Sequence, residues 1–219
     1  MLDESCNCAK LTFDQTDERT TGSGSWIAGQ AVETAQLPED MADNMSRFFD
    51  ESIETFDDMI SAFRTVVDGD GIAVDELCHV EGETPHSAKT ADETYYFRCF
   101  YDGIALAHLV DEPVEIQTNT PTNTLIQLQV SPGSKINVTP PDAVMSFGIA
   151  TDHEVPADDD PTAQDVYGAV CPYVKAFQTR ADYERWAADV AATTVGIPLD
   201  SSMPIAAALT ASSPTEAAE

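Results

Sequence analysis

Lysine and arginine are scarce in this chain: 10 together, against 39 aspartates and glutamates, for a formal net charge of -29 over 219 residues. That balance excludes nucleic-acid and anionic-membrane binding, because phosphate contacts need clustered basic side chains. Long apolar runs are missing too. No stretch approaches the roughly 18 apolar residues of a membrane helix, and the opening MLDESCNCAK lacks the apolar segment of a signal peptide. Cysteine is sparse, with Cys6, Cys8, Cys78, Cys99 and Cys171 making an odd, scattered set. Such a set does not read as a disulfide framework. These absences predict a soluble, cytoplasmic protein with reduced thiols. We find no internal repeat.

What is present is a 42% hydrophobic content, enough for a real core. The acids extend through the segments that carry it. Their self-repulsion opposes compaction at low salt, and salt screens it, with a Debye length of roughly 3 Å at 1 M. This pattern predicts a haloarchaeal-type acidic protein made for a high-salt cytoplasm. The other reading is an acidic protein with a disordered tail.

Hydrophobic spacing divides the chain into 1–37, 38–92 and 93–219. The first is a disordered or loosely docked acidic and polar tail, with Trp26 as a docking point. The second opens on one long amphipathic helix over 38–67, with Met41, Met45, Phe48, Phe49, Phe56, Met59, Ile60 and Phe63 at three- and four-residue spacing. That stripe reads as core, or as a seat for a hydrophobic ligand. A short strand is expected over 72–80 and a polar loop over 81–92. The third segment reads as a core domain with strands over 95–98, 114–118, 124–130, 136–138, 143–149 and 173–177. Helices are expected over 100–110, 181–192 and 201–209, with a helical turn over 166–169. The fold class is therefore α+β: a largely antiparallel or mixed β-sheet core flanked by helices, with an N-terminal amphipathic helix.

Two places combine thiols with apolar surroundings. In YYFRCFYDGIAL, a strand ending near Arg98 and a helix beginning near Phe100 put Cys99 at or beside the helix N-cap. Backbone N–H groups and the helix dipole there favour a thiolate. Asp102, one turn on, shares that end and that face. The plain reading is an acid favouring a helix start and a cysteine used as a small hydrophobe. In VYGAVCPYVKAF, Pro172 biases Cys171 toward an extended backbone. Taken together, two thiols and one carboxyl around a dry pocket is the chemical reading.

Several motifs in this order resemble the organomercurial (alkylmercury) lyases, from about Tyr95 to Leu209. They are the aromatic-x-Cys-x-x-Asp segment Phe97 to Asp102, the hydrophobic helix Ile104 to Val110, and Val130-Ser131-Pro132. Then come the strand opened by Cys171 and the acid-x-Trp pattern Glu184-Arg185-Trp186. Upstream of Tyr95 the resemblance fades: the family's winged-helix-like region is replaced by a long helix. The resemblance implies an enzyme that protonates the carbon of a carbon–mercury bond, giving a hydrocarbon and Hg(II). It implies that Cys99 captures the organomercurial, Cys171 is the second sulfur ligand, and Asp102 shuttles the proton. It implies no cofactor beyond Hg(II) as bound product, with small thiols or a mercuric reductase as acceptor. The rival reading is a non-catalytic carrier or sensor holding Hg or Cu on the same thiols.

Other candidates remain open between two roles. Cys6 and Cys8 form either a soft-metal relay or two incidental tail thiols. Cys78-His79 is a metal pair or, in preference, a strand-edge core cysteine with its neighbour. His108 reads as a surface or core histidine before a pocket residue, and Asp158-Asp159-Asp160 as a solvated acidic loop before a cation site. Tyr95, Tyr96, Phe97, Phe100 and Tyr101 divide between pocket and core.

Overall fold

The computed structural model describes residues 24–28, 31–66, 72–132, 136–153 and 160–211. Strict alternation builds its larger sheet. Strands β4 (Val114–Asn119) and β5 (Leu125–Val130) each bury every second residue, and they pair antiparallel from Val114↔Val130 to Asn119↔Leu125. With β2 (Ser87–Lys89), β3 (Thr94–Tyr96) and β6 (Asn137–Thr139) they form a five-stranded antiparallel sheet of order β3-β2-β4-β5-β6.

The second sheet is buried on both faces. Every residue of β7 (Val144–Ala150) is buried. It lies between β8 (Ala176–Phe177) and β9 (Ala192–Pro198), antiparallel to both, and β1 (Ser25–Trp26) adds parallel to β9. The helices are α1 (Glu39–Phe49), α2 (Phe56–Val66), α3 (Tyr101–Leu109), α4 (Ala163–Ala169), α5 (Arg180–Ala187) and α6 (Ser202–Thr210). The expected α+β class with antiparallel and mixed sheets is what the structure has. One hydrophobic cluster runs from Val32 to Leu209 and draws on both sheets and on helices α1, α2, α3 and α6.

Helix α3 sits directly on the larger sheet. A Cβ at Gly103 would meet Ile116 Cγ2 at 3.0 Å, so the missing side chain permits this approach. Helix α6 crosses behind, and the buried Tyr101 hydroxyl donates to the Ser202 carbonyl at 2.9 Å. The N-terminal end of α3 is thereby fixed between the two sheets.

Several expectations change. The single helix over 38–67 is two helices. Asp50 takes a left-handed conformation at φ 54° and ends α1. Thr55 and Asp58 then exchange side-chain-to-backbone hydrogen bonds of 3.1 and 2.8 Å, a capping arrangement that starts α2 anew. Both helices keep their Met-Phe stripe in the core, with Met41, Met45, Phe48, Phe56 and Met59 buried. The strand expected over 72–80 is a 3-10 turn, Val74–Glu76, followed by a lone bridge from His79 to Phe97. The polar loop over 81–92 contains β2. The strand over 173–177 begins as a 3-10 turn, Cys171–Tyr173, because Pro172 fits its first positions. The helix over 181–192 stops at Ala187; 188–191 form a turn, and β9 begins at Ala192.

Of the segment expected to be disordered or loosely docked, the structure describes 24–28 and 31–37. Trp26 docks: its ring lies 6.4 Å from that of Tyr183, with the Arg180 guanidinium 4.9 Å from its centroid. Val32, Ala35 and Leu37 are buried. Cys6 and Cys8 lie outside the described residues.

Candidate active site

Cys99 stands where β3 gives way to α3. After Tyr96 the chain makes the lone bridge from Phe97 to His79, and the Arg98 amide donates to the Cys78 carbonyl at 3.1 Å. Phe100 caps α3, so Cys99 lies one residue outside the N-cap and Asp102 is the second residue of the helix. This places Cys99 in the core, 4% exposed, beside Phe97 and Phe100.

Cys171 arrives from the other side. Thr162 and Asp165 cap α4 reciprocally, with bonds of 3.3 and 2.9 Å, and α4 leads into the 3-10 turn that carries Cys171. The turn is pinned to β7. The buried Ser146 hydroxyl donates to the Tyr173 carbonyl at 2.7 Å, and its amide donates to the Lys175 carbonyl at 2.9 Å. Cys171 is half-buried there.

The structure brings these residues together, and it adds one. The Cys171 thiol makes side-chain contact with the thiols of both Cys78 and Cys99. Those two neighbours, ahead of burial, push its pKa up: its thiolate is disfavoured while the other two are in place. All three cysteines are free. Cys78 is buried, as expected of a strand-edge core cysteine, and its thiol is also a neighbour of the Cys171 thiol. The cause is the bridge between His79 and Phe97, which lays Cys78 alongside Arg98-Cys99.

Asp102 joins from the helix. Its Oδ1 faces the Cys78 amide N–H across a long 3.5 Å, and its Oδ2 is shut off from solvent with no hydrogen-bond partner among the described residues. The residue as a whole retains some exposure, but the carboxyl group faces inward. Burial pushes this carboxyl up to about 6, against smaller opposing pulls from the Cys78 amide and His79. A carboxyl tuned to that range can hold a proton and release it near neutral pH.

Tyr167 of α4 was not legible as a site residue. Its hydroxyl donates to the Glu76 carbonyl at 3.2 Å and contacts the Cys78 thiol. Burial, then the Cys78 thiol, with smaller contributions from Asp102 and Cys171, push this phenol up. A tyrosine four residues before a cysteine carried no signal in the sequence, because the two reach the cluster from different elements. The aromatic run divides. Phe97, Phe100 and Tyr101 are core, while Tyr95 and Tyr96 are half-buried. His79 packs against Phe97, its ring centroid 5.1 Å away, and its Nε2–H donates to the Val74 carbonyl.

The remaining candidates stand apart. His108 lines a cleft of about 450 Å³ at the far end of α3, with Val110, Ser131, Pro132 and Met203. No cysteine lines it. Of the acidic run, Asp158 and Asp159 lie outside the described residues, and Asp160 is exposed. Among the described residues, no group of three or more His, Cys, Asp or Glu side chains is placed so that it could hold a metal ion.

Comparison with known proteins places the chain in a family. The family model described as alkylmercury lyase matches residues 80–211, well over half of the chain. The chain belongs to the alkylmercury lyase family. The matched segment includes Cys99, Asp102 and Cys171, and Cys78 lies just before it. The crystal structure of the mercury-bound form of MerB2 is similar at 12% identity and a TM-score of 0.45, over 80% of this chain and 91% of that one. No curated protein matches. Among the described residues no helix is long and apolar enough to cross a membrane.

Proposed function

We propose that the protein is an organomercurial lyase that breaks the carbon–mercury bond by protonolysis. The observation that supports this most is the contact between the Cys99 and Cys171 thiols beside a buried Asp102 carboxyl whose pKa is raised to about 6. Mercury(II) is soft and prefers sulfur ligands. In this reading R–Hg arrives bound to a small thiolate. Cys99 displaces that thiolate, whose sulfur leaves with the Cys99 proton. Cys171 then gives its proton to the Asp102 carboxylate and becomes the second sulfur ligand. Two thiolates raise electron density on mercury and on its carbon. Asp102 protonates that carbon, the C–Hg electron pair becomes the C–H bond, and R–H departs. Hg(II) stays on Cys99 and Cys171, with Asp102 beside it, until small thiols or a reductase take it.

Positioned proton transfer of this kind contributes on the order of 10²–10⁴-fold. The apolar surroundings exclude water and strengthen the electrostatics. Mercury is substrate and product, so the reading calls for no organic cofactor and no resident metal. We place the reaction in a salt-rich cytoplasm, on the acidity of the chain.

The other reading, a Hg or Cu carrier or sensor, gains support from the additional thiol of Cys78. One assay separates them: full-length protein, phenylmercury and excess small thiol, with benzene as the readout. The lyase reading expects catalytic benzene from wild type, and loss of benzene with retained mercury binding in Asp102→Ala. Stoichiometric mercury binding without hydrocarbon would leave the carrier reading in its place.

A further inference from the structure

Cys78 has no part in the reaction just described, yet it faces the reacting groups. It is 8% exposed. Its carbonyl is held by the Arg98 amide next to Cys99, and its amide points at Asp102 Oδ1. Its thiol contacts that of Cys171. The Cys171 thiol therefore has the Cys78 and Cys99 thiols as neighbours, although two sulfurs suffice to capture R–Hg. A buried cysteine used only as a small hydrophobe has no reason to be set among two other thiols and a carboxyl.

We propose that Cys78 is the third sulfur ligand of the product ion, so that Hg(II) leaves the reaction held by Cys78, Cys99 and Cys171 in a three-thiolate site. This rests on the lyase reading only in taking mercury as the ion. While the organic group is attached, it occupies a coordination position and Cys78 stays a thiol. When R–H departs, that position opens. The Cys78 sulfur moves onto mercury, and its proton goes to the Asp102 carboxylate that has just given one up. The charge balances: one Hg²⁺, three thiolates and a neutral carboxyl. A sulfur also suits this ion better than the carboxylate oxygen that would otherwise complete the set. As they stand, the three side chains do not form a group that could hold a metal ion, so binding the product requires the sulfurs to close in by rotation about the cysteine χ1 bonds. The half-buried Cys171 turn is where small thiols gain access for the later exchange. Cys78 lies just before the segment matched to the family.

The test uses the full chain carrying Cys6→Ser and Cys8→Ser, so that the tail thiols contribute no sulfur. One equivalent of HgCl₂ is added without small thiol, and mercury X-ray absorption counts the sulfurs in the first coordination shell. The expected counts are three in this background and two when Cys78→Ser is added. The Cys78→Ser protein should also surrender Hg(II) to glutathione at a concentration lower by on the order of tenfold or more, since even outer partners of a metal change affinity by about that much. Two sulfurs with Cys78 intact overturns the inference, and this measurement stands even where Cys78→Ser does not fold. Benzene release from phenylmercury by the same Cys78-intact protein keeps the two readings apart. Three sulfurs without benzene sustains the third ligand and removes the lyase. Two sulfurs with benzene removes the third ligand and sustains the lyase.

Discussion

The Cys78 amide faces Asp102 Oδ1 across 3.5 Å, tying the segment before the larger sheet to the first turn of α3. The bond is long, and the other carboxyl oxygen has no hydrogen-bond partner among the described residues. Asp102 is thus held in position while burial outweighs the pulls of the Cys78 amide and His79 toward the anion, a balance that suits a proton donor.

That relation gives a pH signature in stability. The folded-state pKa of Asp102 is raised from 3.8 to about 6. Below 3.8 the group is protonated folded or unfolded, and its contribution to stability is fully present. As pH rises through 6 that contribution is lost, because ionisation is cheaper in the unfolded chain. Asp102→Asn does not titrate. Wild type should therefore lose stability relative to Asp102→Asn between pH 4 and 7, by roughly 3 kcal/mol or less, since the residue keeps some solvent contact. Urea unfolding of both proteins at constant salt measures the difference. A gap that does not change with pH contradicts the buried carboxyl.

The two family-segment thiols should fail differently. Cys99→Ala removes the capturing sulfur and should abolish both tight phenylmercury binding and benzene release. Cys171→Ala leaves capture in place, so it should bind one phenylmercury per chain and lose benzene release by on the order of 10²-fold or more. Mass spectrometry of the protein after gel filtration, beside headspace analysis for benzene, reads both. Equal binding loss in the two variants would remove the assigned order of the sulfurs.

Gly196 of β9 should tolerate no side chain. A Cβ there would meet Tyr183 Cε1 at 2.4 Å and Trp26 Cε3 at 2.9 Å. Tyr183 cannot retreat: it is buried, with its hydroxyl bound to the Ser25 carbonyl at 3.0 Å and to Thr194 Oγ1 at 3.1 Å. Gly196→Ala should cost about 1–3 kcal/mol through overpacking, seen as a lower denaturant midpoint with unchanged slope. An unchanged midpoint would mean that the β1–β9 edge repacks freely.

Salt should stabilise the fold. With a formal charge of -29, raising NaCl from about 0.1 M to 2 M shortens the Debye length from roughly 10 Å to below 3 Å and suppresses self-repulsion. The unfolding temperature should climb across that range, and most steeply at its low end. A flat or falling curve would speak against adaptation to high salt.

Strands β4 and β5 were legible because one face of their sheet is buried and the other is wet, so side chains alternate. Strand β9 was missed for the opposite reason. With both faces covered, Ala192–Pro198 carries no period of two. The break between α1 and α2 was hidden because Ile53 and Phe56 continue the apolar spacing across it. Only Asp50's left-handed turn and the Thr55–Asp58 cap interrupt the helix.

By itself the sequence determined the chemistry on offer: few thiols, one of them a helical turn from an acid, and a formal charge of -29. These are properties of residue type and short spacing, which a chain carries before it folds. Only the tertiary structure decided that Cys78 meets residues 21 and 93 positions away, and that Asp102 turns its carboxyl inward. Those relations arise from a single β-bridge, a Pro-started turn and a glycine under α3. Contacts between distant segments leave no periodic trace in sequence, because packing geometry, not residue order, sets them.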